Sequence, residues 1–222
     1  MERSNGLHRP LALAAIYSGF QGLVGARRAR RWLAAQSLRL APGARIVDVG
    51  CGTADVLEFV PAGVAYAGFD PNRLYVERAE RRYGARPDTV FLHGTSTVAS
   101  DDDRFRNADV VLCVGVLHHL DDRQADGLLS FCRHALAPAG RFQGLEPAWL
   151  PTQSRLSRFV MSLDRGLAIR DLDGWRRLVA NAFAVSQVTP VTHLIRIPYT
   201  YAFLDGSESC DQRPALLASP TP

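Results

Sequence analysis

A few short segments concentrate the residues whose types and spacing can do chemistry. In VDVGCGTAD, residues 47 to 55, Gly50 and Gly52 let the backbone turn sharply and approach a ligand that any Cβ would obstruct. Asp48, near the end of the apolar run before them, offers a carboxylate that could orient the loop or a ligand ammonium. Asp70 stands 18 residues beyond Gly52, directly before Pro71 and Asn72. A carboxylate in that place can accept two hydrogen bonds from the vicinal hydroxyls of a ribose. His118 and His119 follow a long apolar run, and imidazole is the side chain suited to removing a proton near neutral pH. Adjacent residues outside a helix point in different directions, so one ring is expected to face a cleft and the other to pack or cap; shaping the loop is the plainer role for both. Glu146 is a further candidate base or substrate contact, with capping or loop bonding as its structural alternative.

These residues need strands that end together. RIVDVG (45 to 50), VAYAGFD (64 to 70), TVFLHG (89 to 94), ADVVLCVGV (108 to 116) and RFQGLEP (141 to 147) read as buried strands. Between them TADVLEFV, residues 71 to 84 and residues 123 to 136 read as helices, and Asp121 and Asp122 as the N-cap of the last. Such alternation implies a parallel sheet with right-handed crossovers and helices on both faces. Further on come helical stretches near 154 to 165 and 173 to 182, then candidate strands 183 to 190 and 194 to 204 that could pair antiparallel at the sheet edge. The fold expected is therefore a Rossmann-like doubly wound α/β domain of about seven strands, mostly parallel with the last antiparallel. In such a sheet, ligands bind beyond the carboxyl ends of the strands, where strand order reverses.

IVDVGCGTAD, GFDPN, ADVVLCVGVLHHLDD and LAPAGRFQGLEP, in that order, resemble the successive motifs of class I S-adenosylmethionine-dependent methyltransferases over roughly residues 44 to 147. The His pair resembles the small-molecule branch that includes ubiquinone and menaquinone biosynthesis methyltransferases. The resemblance implies that Gly50, Cys51 and Gly52 line the methionine portion of the cofactor, Asp70 holds the ribose, Asn72 flanks the adenine, and Val114 and Gly115 form the floor. Pro71 shapes the turn beneath Asp70. The family's third loop glycine is Ala54 here, tolerable if its φ stays negative, and the acidic residue often found after the third strand is replaced by HGTSTV, leaving Thr95, Ser96 or a backbone group to serve. A dinucleotide site would place its third glycine at Asp55, where a carboxylate at a helix start repels a pyrophosphate. S-adenosylmethionine has no phosphate and carries an ammonium and a sulfonium, which Asp55 and Asp48 suit better.

The activity implied is methyl transfer to a small molecule, at oxygen first, with carbon or nitrogen as alternatives. Two other readings stay open: a cyclisation or rearrangement assisted by the bound sulfonium, and a noncatalytic partner subunit. A nicotinamide oxidoreductase is the more distant rival.

The 222 residues suit a single catalytic domain: a helical cap over 1–40 with Tyr17 and Gln21 as lid residues, the cofactor-binding domain over 41–204, and a flexible tail over 205–222. All 26 basic residues are Arg, a bias of GC-rich bacterial coding, and they are scattered rather than gathered into a nucleic-acid-binding face. The run Arg27, Arg28, Arg30 and Arg31 reads as a solvated helix face. The four cysteines lack the close pairing of a zinc site, so no metal is expected, and a reducing cytoplasm fits them. No apolar stretch approaches the ~20 residues of a membrane span. Trp149, Asp164, Arg165, Arg170 and Tyr199 fall where such folds place substrate-specific decoration.

Overall fold

The computed structural model describes residues 26–37, 40–164, 166, 168–192, 194 and 198–209. Tyr17 and Gln21 of the expected cap, Arg165, and the tail from 210 lie outside the described residues. Helix α1 spans Ala26–Ser37, and strand β1, Arg45–Val49, opens the sheet. β2 (Ala65–Asp70), β3 (Thr89–His93), β4 (Ala108–Val114) and β5 (Leu136–Trp149) follow, with helices α2 (Arg73–Tyr83), α3 (Ser96–Ala99) and α4 (Asp122–Ala135) in the crossovers. After β5 come α5 (Arg155–Ser162), the short β6 (Arg170–Asp171), α6 (Leu172–Ala182), β7 (Val185–Val191) and β8 (Tyr201–Ser207).

The strand order is β3-β2-β1-β4-β5-β8-β7, with β6 off this path on β5. β1 through β5 pair in parallel, and β8 runs antiparallel between β5 and β7. This is the doubly wound, mostly parallel α/β sheet expected, with its last strand antiparallel but inserted inside the sheet rather than laid on its edge. Chain order reverses between β1 and β4, so the loop after β1 and the loop after β4 emerge side by side.

The near-continuous apolar runs are explained by cover on both faces. Val47, Val49, Val111, Cys113 and Phe142 meet Leu129 and Cys132 of α4 and Trp175 and Val179 of α6. Ile46, Tyr66, Val110 and Leu112, on the alternate positions, meet Ala34 of α1 and Ala79 of α2. α1 also lays Ala29 and Leu33 against Leu145 and Phe203, with Trp32 edge-on to Phe203 at 5.4 Å between ring centroids. Burial of Leu33, at 1% exposure, contributes about 2 kcal/mol to holding the helix there. The side-chain caps are Asn72 for α2, Asp121 with Gln124 in a reciprocal box for α4, Ser154 for α5 and Asp171 for α6.

Three expectations need correction. TADVLEFV is not a helix but a single 3₁₀ turn, Asp55–Glu58. Ala54 enters it from the left-handed region at φ 54°, and the chain must turn back at Pro61 to reach β2. The negative φ on which tolerance of Ala54 rested is therefore absent, and an alanine held there costs roughly 1–2 kcal/mol. The ordered domain also runs past residue 204. Asp205 pairs in β8 with Gln143 on one side and Gln187 on the other, and its carboxylate takes Arg141. The polar composition of GSES disguised a strand end whose charge is met inside the sheet. Finally, the Arg run is only half solvated: Arg27 pairs with Glu58, and Arg30 with Asp55 at 2.9 Å, which ties α1 to the 3₁₀ turn.

Candidate active site

The loop after β1 is drawn against the end of β2 by its own backbone. Cys51 N–H donates to Phe69 O at 3.0 Å, and Gly52 N–H donates to Asp70 Oδ2 at 3.0 Å. The other oxygen of Asp70 accepts Asn72 N–H at 2.7 Å. Two backbone donors thus aim the carboxylate, leaving each oxygen a lone pair for a ligand hydroxyl. Gly50 has φ 68°, and a Cβ on it would lie 2.5 Å from Val116 Cγ2; Gly52 has φ 55°, and a Cβ on it would meet no protein atom within 4 Å. Gly50 is therefore required by the neighbouring loop, whereas Gly52 borders open space that a ligand can enter. Such a cradle beside a ribose-type carboxylate fits a nucleoside such as S-adenosylmethionine.

Asp48 is buried beneath this loop and accepts Tyr66 Oη–H at 2.6 Å. Burial raises its pKa to about 6, against the lowering effect of the tyrosine bond and helped by the nearby Asp70 charge. Tyr66 went unremarked in the sequence, although the parallel register sets it beside Ile46, two residues before Asp48. The Cys51 thiol is pushed up by burial, so it stays protonated. Pro71 offers its carbonyl to His93 Nε2 at 3.2 Å. Gly94 N–H reaches Asp70 O at 3.1 Å, which sets Thr95, exposed, and Ser96, half-buried, at the start of α3 beside the end of β2. Val114 is half-buried against α1, and Gly115 N–H donates to Leu145 O at 3.0 Å.

Asp55 does not face this cradle as a free charge. Its carboxylate accepts Thr53 Oγ1–H at 3.0 Å and pairs with Arg30 and, at 2.6 Å, with Arg82. Asp55 is therefore committed to Thr53, Arg30 and Arg82 rather than to a ligand ammonium. A different observation disfavours a pyrophosphate here: a four-residue 3₁₀ turn, whose Leu57 N–H and Phe59 N–H are already bonded, lacks the helix N-terminus on which such a group rests.

Across the switch point, Val116 leads into a 3₁₀ turn, Leu117–His119. Glu146 is fully buried beneath it, with Oε1 accepting Val116 N–H at 2.9 Å and Leu117 N–H at 3.0 Å. Its Oε2 accepts the His118 ring at Nδ1 (2.7 Å) and His118 N–H at 3.3 Å. The glutamate thus takes the loop-bonding alternative in this geometry, with no oxygen turned to open space. The two histidines differ in burial: His118 is buried, and His119 is exposed with its ring centroid 3.9 Å from that of His118. Burial disfavours charge on His118, yet Asp164, 3.5 Å from Nε2, and Glu146 outweigh it and raise its pKa to about 9. His118 therefore holds its proton at neutral pH. His119 is shifted the other way, by partial desolvation and by the His118 charge, and is neutral.

The segment after α5 closes on this turn. Arg170 donates to Leu117 O at 3.2 Å and Leu120 O at 3.0 Å, pairs with Asp122 at 2.7 Å, and lies over the Trp175 ring. Asp164 accepts Tyr199 Oη–H at 2.5 Å. Trp149 is half-buried at the end of β5, where it pairs with Asp171. Among the described residues no group of three or more His, Cys, Asp or Glu is placed to hold a metal ion, and no helix is long and apolar enough to cross a membrane.

A methyltransferase domain family matches residues 47–142. Two ubiquinone biosynthesis O-methyltransferases of Rhodopseudomonas palustris are similar: that of strain BisB18 is 30% identical over 107 residues, 48% of this chain and 41% of the relative, and that of strain BisA53 is 28% identical over 106 residues, 47% and 40%. The aligned region thus spans about two-fifths of the length of these relatives. The fold is shared with the mitomycin 7-O-methyltransferase MmcR (TM-score 0.63, 20% identity, 82% of this chain and 53% of that one). It is shared also with human N-acetylserotonin methyltransferase in complex with its SAM cofactor (0.60, 19%, 84% and 52%). Matched motifs, strand order and nucleoside cradle agree: residues 47–142 match a methyltransferase domain, set in a fold that the chain shares with S-adenosylmethionine-dependent methyltransferases.

Proposed function

We propose that the chain methylates a hydroxyl oxygen of a small molecule, with His119 as the proton acceptor. The observation that carries the proposal is the pairing, at one switch point, of the Gly52–Asp70 cradle with an exposed neutral imidazole. When bound, S-adenosylmethionine supplies a methyl group on a sulfonium already activated for in-line displacement, the sulfur keeping the electron pair of the broken bond. The chain's own share is alignment, together with removal of the acceptor's proton. Asp70 would hold the ribose hydroxyls, while Gly50, Cys51 and Gly52 give the methionine portion close access to backbone. Asp48 would lie beneath its ammonium, Pro71, Asn72, Thr95 and Ser96 would border the adenine, and Val114 and Gly115 would underlie the pocket. Tyr17 would belong to the lid.

His118 cannot serve as the base while it holds its proton between two carboxylates, and Glu146 is enclosed by the turn it bonds. The exposed partner in the pair is left for that task. An oxygen acceptor agrees with the O-methyltransferases among the relatives.

Incubating the purified chain with isotopically labelled methyl donor and a fractionated cell extract tests the reading. Base-stable label on an oxygen-bearing product is expected, together with S-adenosylhomocysteine binding that Asp70→Ala abolishes. Tight cofactor binding with no labelled product would instead favour a rearrangement or a noncatalytic role.

A further inference from the structure

Asp164 lies 46 residues beyond His118 in the chain and on no element of the cofactor cradle, yet it reaches the buried ring. Its Oδ1 lies 3.5 Å from His118 Nε2 and accepts Gly166 N–H at 2.7 Å, and its Oδ2 accepts the Tyr199 hydroxyl at 2.5 Å. The segment that carries it lies flush against the histidine: Ala168 N–H donates to His118 O at 2.9 Å, and a Cβ on Gly166 would stand 2.2 Å from His118 Cδ2. Glu146 grips the same ring from the opposite nitrogen. From this geometry, resting on the reading of His119 as base, we infer that Asp164, oriented by Tyr199, is a positioning residue that fixes the His118 ring and, through it, the exposed His119 ring tilted against it at 41°.

A loop acceptor needed only for local turn geometry would be satisfied by Gly166 and Tyr199. It would not place its carboxylate on a buried ring nitrogen that is already held by a glutamate at the other nitrogen. Among the described residues, the charged and titratable groups around His118 are Glu146 from β5, Asp164 and Tyr199 from the segments after α5 and before β8, and His119 from its own turn. Arg170 of β6 is directed at the backbone carbonyls of Leu117 and Leu120 and at Asp122. Two carboxylates and one buried imidazole therefore make a charged cluster whose proton stays on His118, and that cation holds down the proton affinity of His119.

The test is imidazole NMR titration of the full chain, which requires no acceptor. The wild type is expected to keep His118 protonated to about pH 9 and to titrate His119 below its ordinary range. Asp164→Asn should lower the His118 midpoint by more than about one unit and move the His119 ring resonances, and Asp164→Glu should restore most of both. Tyr199→Phe, which removes a single hydroxyl, should also displace the His119 resonances and serves as the check if Asp164→Asn does not fold. His118 and His119 titrations identical to wild type in Asp164→Asn, or His119 resonances unmoved in Tyr199→Phe, overturn the inference. S-adenosylhomocysteine affinity, measured alongside, should stay within about twofold in every variant because Asp164 lies outside the nucleoside cradle. Its loss in the wild-type protein would overturn the methyltransferase reading and leave the titration result to stand or fall separately.

Discussion

Replacing Glu146 by Gln isolates the energetics of the buried pair, and its cost should depend on pH in a direction fixed by the structure. Burial by itself would lower the His118 pKa from 6.5; Asp164 and Glu146 overcome that and raise it to about 9. A rise of that size corresponds to about 3 kcal/mol of preference for the protonated ring in the folded state. Because the folded value exceeds the unfolded one, this stability is fully present below pH 6.5, declines above it, and is gone once pH passes about 9. In Glu146→Gln the amide oxygen can still accept Val116 and Leu117 N–H, but its NH₂ is set against the His118 N–H and the protonated Nδ1. The expected loss is about 3 kcal/mol at pH 7. It should shrink to roughly 1 kcal/mol at pH 9.5, where the neutral ring can accept from the amide. Urea unfolding of both proteins at the two pH values, with the dependence on denaturant unchanged, measures this directly. A cost that is equal at pH 7 and 9.5, or larger at the higher pH, would refute the charged His118.

Other substitutions separate the cradle from its supports. Gly50→Ala should destabilise the fold by about 2 kcal/mol or more, through left-handed strain and the 2.5 Å approach to Val116, and thermal melting will register it. Gly52→Ala has room for its methyl within the protein, so its stability cost should be only about 1 kcal/mol while S-adenosylhomocysteine affinity in calorimetry falls at least tenfold. Asp70→Asn loses the second acceptor oxygen, and the same affinity should drop by about 10- to 100-fold, the scale of one charged hydrogen bond. Asp55→Asn should leave that affinity within about threefold of wild type, because Arg30 and Arg82 already occupy its carboxylate; a tenfold loss would return it to the ligand face.

The strands were legible because parallel strands covered on both faces must be apolar nearly throughout, as RIVDV and ADVVLCV are. Asp70 was legible for a related reason, since a carboxylate closing a buried strand has few uses beyond the loop edge it faces. What escaped were features set by groups distant in sequence. The helix inferred for TADVLEFV had suitable residues but too little chain between a left-handed Ala54 and Pro61. Asp55 had the right charge for the argument made of it, but no local pattern could reveal that Arg30 and Arg82 would take that charge. Asp205 carried the same ambiguity, polar enough for a tail and yet matched by Arg141 inside the sheet.

The His118–Glu146 pair shows where sequence reading could have gone further. Both residues were legible as chemistry, and the only information lacking was register. β4 and β5 pair with Val114 opposite Leu145. One step beyond that pair, Glu146 comes level with Gly115, directly below the N–H groups of residues 116 to 118. A glutamate at that point of a parallel strand must either go unsatisfied or bond the turn beside it, and an unsatisfied buried carboxylate costs more than the turn can forgo. Once the turn is bonded, the first histidine is fixed above the carboxylate, where Asp164 and Glu146 together keep its proton in place. The burial of His118 against Glu146 thus follows from strand pairing.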